Sequence, residues 1–383
     1  MPDSRAWGCT LGYFGGHVVL GLVSASLGAA LPALALALGH APAQLGVAFT
    51  ARGLGYLLGS LGSGRLYDRR PAHPLIAGAI VLLALGTIAV PFMPTRATLL
   101  GLMLGIGAAQ GLLDVGNNTT LVRVHGERVA PFMNALHCCY GVGALLAPLV
   151  VEAAGALQLA FVVLGLALLP FALLVIVQAS PAAPARGGAA PDERGRPDAL
   201  ERPDARALAA FVLLFVFCQA LEAGFSSWLV VMARDAGFDE AAAATLLSGF
   251  WTVFTIGRVL AIGLATRVAP QRLLALDLAA AFVCVGLLAL PGTLPLASLG
   301  LGLALASVFP VALTLAGRYL PLHGSVTSRI FVGASVGTMA MPWLLGHALA
   351  LGPLAPLALL LGDLALALAV LLAIRFMDPR RRP

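Results

Sequence analysis

The sequence predicts an all-α membrane protein of twelve transmembrane helices in two pseudo-symmetric six-helix bundles, and three observations carry that prediction. First, 60% of the 383 residues are hydrophobic and only 10% are charged, with a mean hydropathy of +0.96. A soluble domain carries about 25% charge. The imbalance excludes a soluble enzyme, a disordered chain, a coiled coil and a small disulfide scaffold, which need more charge, a heptad repeat or dense cysteine. Second, the apolar runs have helical length, as at residues 75–90 and 157–177; an outer-membrane barrel would show short strands of alternating polarity. Third, the chain reads as two similar halves on either side of a polar segment.

A crossing needs roughly 20 apolar residues and a short connection. Twelve fit: 8–38, 44–67, 74–93, 96–121, 131–154, 157–179, 207–233, 240–265, 270–291, 293–316, 325–349 and 353–376. The first run is too long for the apolar region of a cleaved signal, so it is expected to stay as the first span. Residues 180–206 differ from everything else, holding ten of the forty formal charges and five prolines, as suits a flexible, solvated linker. The expected organisation is therefore an N-terminal bundle (1–179), a cytoplasmic linker (180–206) and a C-terminal bundle (207–383).

All 23 basic residues are Arg, and their positions set the expected orientation, because cytoplasmic loops retain positive charge. Nineteen fall on the side that holds both termini and the linker, against only Arg96 and Arg234 on the other. A multi-pass protein of the cell inner membrane with both termini cytoplasmic is expected, and the net charge of +6 reflects topology rather than nucleic-acid binding. The protein is expected to act as a monomer in the bilayer. The five cysteines, Cys9, Cys138, Cys139, Cys218 and Cys284, lie in or beside apolar runs, and no disulfide is expected.

Residues 55–70 align with 257–272 without a gap, setting Arg65 on Arg267 and Arg70 on Arg272. Gly143 and Pro148 in span five likewise fall on Gly337 and Pro342 in span eleven. Parallel six-helix repeats about an axis normal to the membrane describe the major facilitator superfamily, in which the solute sits between the halves near the midplane.

An ionisable group inside a span costs about 2.5 to 3.5 kcal/mol on insertion scales, so each one asks for a reason. The candidates are Arg52, Asp114, Glu222, Arg258, Asp277 and Asp363. Asp277 and Asp363 are read as structural, at a helix end or in an interhelical pair. Arg52 and Arg258 are each expected to pair with a buried acid, and Arg258 also to gate. Asp114 and Glu222 have polar company. In span four, Gln110, Asp114, Asn117 and Asn118 form one helical stripe. Span five adds Asn134 and His137, span seven Gln219 and Glu222, and span one His17. One reading of this set is interhelical glue, with amides and imidazoles pairing across helices. The other is a polar cavity for a small hydroxylated solute, in which amides and carboxylates meet hydroxyl groups and Trp228, Trp251, Phe225 and Phe250 offer apolar rings to a sugar. Asp114 or Glu222 would then carry a proton, or help hold a sodium ion, as the coupling cation; the residue types do not separate the two. No cofactor, metal cluster, nucleophile or nucleotide loop argues for an enzyme.

The loop Gly64-Arg65-Leu66-Tyr67-Asp68-Arg69-Arg70 resembles the signature loop of the major facilitator superfamily, with Pro71, Ala72 and His73 replacing the glycine and basic pair that follow it there. The resemblance implies that Asp68 and Arg69 pair with helix ends and take part in gating. Within the superfamily, three stretches resemble the sodium-dependent glucose transporter and fucose permease group. They are Leu113-Asp114-Val115-Gly116-Asn117-Asn118, then Pro131-Phe132-Met133-Asn134-Ala135-Leu136-His137, then Tyr140-Gly141-Val142-Gly143. Glu222 with Trp228, Ser248-Gly249-Phe250-Trp251 with Gly257-Arg258, and Phe309-Pro310 add to it. The likeness implies that Asp114 and Asn118 match the acid and asparagine of that group's fourth span, and Glu222 the acid of its seventh. Where the fucose permeases carry an acid in span one, this chain has Ser24, Ser26 and Gly28.

The function expected is secondary active import of a sugar-like solute coupled to protons or sodium. The alternative is a proton-coupled exporter of drugs or metabolites. Drug antiporters of the superfamily carry an Arg three residues before the Gln-Gly pair of span four, where Gly107 stands here, and a Gly-Pro motif in span five that residues 141–148 lack. Both absences favour import.

Overall fold

The computed structural model describes residues 4–181, 204–265, 267–320 and 324–377. Most of the linker, residues 182–203, and the terminal Arg380 to Arg382 lie outside the described residues. The described secondary structure is helical: α1 (Ser4–Ala37), α2 (Val47–Arg69), α3 (Ala72–Ala89), α4 (Arg96–His125), α5 (Ala130–Ala153), α6 (Leu157–Ile176), α7 (Ala205–Asp235), α8 (Glu240–Ala265), α9 (Pro270–Leu287), α10 (Leu294–Leu305), α11 (Val308–Ala316), α12 (Gly324–Leu351) and α13 (Leu354–Phe376). Short 3-10 turns precede α2 and follow α3 and α4.

The tenth crossing is two helices, α10 and α11, where the apolar pattern predicts one. Pro310 has no N–H to offer the carbonyl of Ala306 four residues earlier, and its ring crowds that carbonyl. The helix opens there, at Ala306 and Ser307. Among the described residues, eleven helical runs are long and apolar enough to cross a membrane, counting α10 and α11 as one run. The remaining crossing, α2, falls short in hydropathy because it carries Arg52, Arg65, Asp68, Arg69 and five glycines. Its 23 residues still span about 34 Å at helical rise. It packs against α4 and α12, so much of its surface faces protein instead of lipid.

The helices pair in the same order in both halves. In the first, α1 packs on α5, α2 on α4 and α3 on α6; in the second, α7 packs on α12, α8 on α10 and α9 on α13. Glycine seams make the close approaches. A Cβ on Gly143 would lie 2.1 Å from the carbonyl oxygen of Val18, and one on Gly337 would lie 2.0 Å from that of Val216. The α1 and α7 helices also end alike. Gly39 and Gly237 take positive φ, of 67° and 90°. His40 donates back to the Ala35 carbonyl at 2.9 Å, and Phe238 to the Ala233 carbonyl at 3.0 Å, the backbone closure that a left-handed glycine permits. These caps have the same separation in sequence as Val18 and Val216, so the repeat extends to backbone hydrogen bonds.

The halves meet through α1 with α7, α2 with α12, and α5 with α8. Gly28 rests on the backbone of Ser227, and Gly141 on the side chain of Thr255. Thr50 donates to the Met339 carbonyl at 2.9 Å, and Ser248 to the Leu145 carbonyl. These contacts run from the helix middles toward the end of the molecule away from the termini. Nearer the Arg-rich loops, Cβ positions at Gly62 and Gly64 of α2 meet open space.

Candidate functional site

The span-four stripe forms on α4 as its 3.6-residue period requires, and helices on either side complete it. Asp114 is the hub. Tyr56 of α2 donates its hydroxyl to Asp114 Oδ2, and Asn118 Nδ2 donates to Oδ1 at 2.8 Å. His17 Nε2 of α1 stands 3.4 Å from Oδ1. The other ring nitrogen of His17 meets Asn117 Nδ2 at 3.2 Å, and His137 of α5 abuts the His17 ring edge-on, with centroids 5.6 Å apart. Asp114 keeps a quarter of its side-chain surface exposed while His17 keeps 2%. The acid is thus braced by three helices and still reachable by solvent or solute. Asn117 is fully buried, and its Oδ1 accepts nothing.

A second cluster gathers on Ser24 of α1. Gln110 Nε2 donates to its hydroxyl at 3.0 Å, and Arg52 Nη1 to its carbonyl at 2.8 Å. The hydroxyl of Tyr140, on α5, faces it too. Tyr140 meets Trp251 of α8 edge-on at 6.1 Å across the boundary between the halves. In the second half, Glu222 of α7 has Arg258 of α8 as its electrostatic neighbour. The Arg258 guanidinium lies 4.6 Å from the centroid of the Phe254 ring, a cation–π contact.

The expectation that Arg52 and Arg258 each pair with a buried acid is corrected. The ion pairs found within 4 Å among the described residues are His17–Asp114 and Arg123–Asp68. Arg52 instead caps a carbonyl and sits beside the Phe49 ring, and the Nε of Arg258 is buried without a hydrogen-bond partner. The physical reason is that other partners come first: Asp114 accepts from Tyr56 and Asn118, the Ser24 carbonyl takes Arg52, and the Phe254 ring takes Arg258.

Other candidates lie apart. Trp228 is fully buried on the α7–α12 seam, donating its indole N–H to the Pro342 carbonyl at 2.7 Å, so packing occupies it. Gln219 is half-buried one turn before Glu222, and Asn134 is exposed near the start of α5. Asp68, largely exposed, lies 3.4 Å from Arg123 of α4, while Arg69 is exposed at the end of α2. Asp277 accepts from Ser307 at the α10–α11 break, and Asp363 is buried with Oδ2 unpartnered. None of the five cysteines is in a disulfide. Among the described residues, no group of three or more His, Cys, Asp or Glu side chains could hold a metal ion.

Tyr56 escapes a reading by motif, and Ser24 and Tyr140, though named within the family resemblance, carry no site role there. One signal for Tyr56 existed. In the internal alignment it falls on Arg258, so both repeats put a polar group at that point of the second helix facing the centre.

With this geometry, the match of residues 13–321 to the family model for the Major Facilitator Superfamily is decisive. The chain belongs to the major facilitator superfamily. It is a membrane transporter and not an enzyme. Similar curated proteins include the human sodium-dependent glucose transporter 1, 28% identical across 85% of this chain and 71% of that protein, and sodium-dependent glucose transporter 1A of Mus musculus, 26% identical across 85% and 86%. Among solved structures, a D-xylose-proton symporter superposes with a TM-score of 0.83 over 97% of each chain at 13% identity. A bacterial homologue of the human lysosomal transporter Spinster gives 0.75 at 14% identity, over 98% of this chain and 96% of that one. At those identities the structures establish the shared fold.

Proposed function

We propose that this superfamily transporter is a cation-coupled importer of a sugar or similar small polar solute, working by alternating access. The observation that carries the reading is the Asp114 hub, an intramembrane carboxylate braced by Tyr56, Asn118 and His17. Such a group marks an ion or solute path in a transporter. The naming of similar proteins as glucose transporters supports the solute class. Asp114 and Glu222 carry the coupling cation, a proton or sodium. Asn118, Asn134, His137 and Gln219 offer polar surface to the solute, and His17, Gln110, Asn117 and Trp251, buried in this state, join them as the halves rock. The bundles 1–179 and 207–383 rock about the site, joined by the linker, with both termini in the cytoplasm of the inner-membrane face. With that orientation the molecule is inward-facing, since its inter-half contacts lie away from the termini. Asp68, Arg69 and Arg258 take part in gating.

Export of drugs is disfavoured by packing. A Cβ on Gly107 would lie 1.9 Å from the carbonyl oxygen of Arg52, so the Arg that drug antiporters place there has no room. The test is uptake of labelled hexose by proteoliposomes under an inward proton or sodium gradient. Accumulation that Asp114→Asn and Glu222→Gln abolish is expected. Accumulation untouched by both substitutions removes the coupling assignment, and thermal stabilisation by cationic dyes but by no sugar favours the exporter.

A further inference from the structure

The His17–Asp114 pair has a third member whose two ends are used unequally. Asn117 of α4 is fully buried; its Nδ2 meets His17 Nδ1 at 3.2 Å, while its Oδ1 accepts nothing. An amide nitrogen only donates, so Nδ1 is the acceptor and the ring hydrogen sits on Nε2, 3.4 Å from Asp114 Oδ1. A proton added to the pair reverses the contact with Asn117. On the imidazole it makes both ring nitrogens donors; on Oδ1 it makes Nε2 the acceptor and leaves the ring hydrogen on Nδ1. Asp114 Oδ2 is already taken by the Tyr56 hydroxyl. In either place of the proton, Nδ1 comes to face Asn117 as a donor, and a half-turn of the carboxamide brings the unused Oδ1 to accept from it. Gly16 leaves room for that turn: a Cβ there would lie 2.5 Å from Nδ2 and 3.0 Å from Oδ1, so the amide rests on bare backbone. A sodium ion meets the opposite chemistry. It is held by oxygen lone pairs, carbonyls of unwound helix among them. The groups found on the Asp114 carboxylate present hydrogens instead: the Tyr56 hydroxyl, Asn118 Nδ2 and His17 Nε2. Around them α4 is unbroken from Arg96 to His125, and its carbonyls take extra donors, Asn118 Nδ2 on Asp114 at 2.9 Å and Thr120 Oγ1 on Gly116 at 2.6 Å.

We propose that the coupled ion is a proton held by His17 and Asp114 together, and that Asn117 is the positioning residue, turning its carboxamide so that Oδ1 accepts from Nδ1 when the proton is bound. This rests on the cation-coupled importer reading above and names its ion; in this state, with both side chains buried, it gives His17 and Asn117 to that ion. The step balances as a protonation: a hydronium gives up one proton and leaves as water, one N–H or O–H bond forms at the pair, and release on the other side is the reverse. Asp114, a quarter exposed, is where the proton enters. Other titratable groups near the pair have their own places. His137 of α5 meets the His17 ring and has Arg258 of α8 as an electrostatic neighbour. Tyr56 of α2 faces Asp114, and His73 of α3 is turned to the Tyr13 hydroxyl at 2.8 Å, one turn earlier on α1. The α6 helix brings Phe171 to Gly15, and α7 meets α1 at Gly28.

The full chain in proteoliposomes is given labelled hexose under an inward proton gradient without sodium, and under an inward sodium gradient with a protonophore. Accumulation is expected in the first and not in the second. The initial uptake rate is then followed against external pH for the chain and two variants, each profile scaled to its own maximum so that altered solute affinity or yield does not move it. Asn117→Asp presents only acceptors to Nδ1 and is expected to move the midpoint up by about one pH unit; Asn117→Leu removes the acceptor and is expected to move it down by about as much. That is about tenfold in proton affinity, the scale of a hydrogen bond to a charged group. A merely structural role for Asn117 would not send the two midpoints in opposite directions. Accumulation driven by sodium with the protonophore present, or midpoints that stay put or move the same way, overturns the proton site alone. Accumulation under neither gradient overturns it together with the importer reading.

Discussion

The two halves build the same scaffold and fill its centre differently. In the first half the acid is saturated: Asp114 accepts from Tyr56 and Asn118 and faces His17. In the second, Glu222 and Arg258 are electrostatic neighbours that lie beyond contact distance, and Arg258 lies over the Phe254 ring, which packs on Trp251 and Phe250. The repeat makes the contrast exact in position. The separation that relates Val18 to Val216 also sets Ser24 on Glu222, and the internal alignment sets Tyr56 on Arg258. Neutral hydroxyls in one half therefore stand where charges stand in the other. One helix pair fixes its acid in hydrogen bonds, while its counterpart holds its acid and its guanidinium apart.

The largest effect is expected at the saturated acid. Asp114→Asn keeps the side chain's size but replaces one of its two acceptor oxygens by a donor, so it can still accept from Tyr56 or from Asn118 but not from both. Gradient-driven accumulation should vanish while solute exchange at equal concentrations persists. Persisting accumulation would move the coupling to the second half. Next come the seams. Gly143→Ala and Gly337→Ala each force a methyl group into a carbonyl and should cost about 1 to 3 kcal/mol of stability, read as lowered Tm in detergent. Because the clashes are 2.1 and 2.0 Å, the two losses should match; a loss at one glycine only would mean that the repeats do not share their packing.

Trp228→Phe removes the indole donor from the Pro342 carbonyl and should cost about 1 kcal/mol with KM for the solute unchanged. A raised KM would return Trp228 to the solute surface and make the second half's site more aromatic than its geometry implies. The smallest effect belongs to Asp68→Asn. Asp68 is largely exposed though its partner Arg123 is not, and the contact is long at 3.4 Å, so stability should change by less than about 1 kcal/mol and less still in high salt. A larger loss, or a changed uptake rate, would reveal a state-dependent lock at the signature loop.

Helix existence was legible because most spans are long, predominantly apolar runs, and several bounds agree closely: 240–265 is α8 as expected, and 353–376 is α13 to within a residue. The departures have local causes. Polar residues at the end of span four continue its helix to His125, since a helix can project beyond the apolar zone. The tenth span divides because a missing proline N–H is invisible to a hydropathy pattern. The site was legible along single helices and obscure between them. Gln110, Asp114 and Asn118 share a face by period alone. Tyr56 meeting Asp114, Arg52 reaching Ser24, and Trp228 turning into its seam depend on how neighbouring helices are rotated.

The sequence by itself determined that lipid is the solvent, how many helices cross it, that the halves are copies, and which few ionisable groups enter the membrane. Hydropathy and helical period act within one segment, so they are readable one segment at a time. Tertiary structure alone decided which polar groups meet, leaving Asp114 filled and both central guanidiniums without an acid in contact. Glycine seams such as Gly143 on Val18 set the distance and rotation of each helix pair, and close packing admits only one such arrangement for each seam.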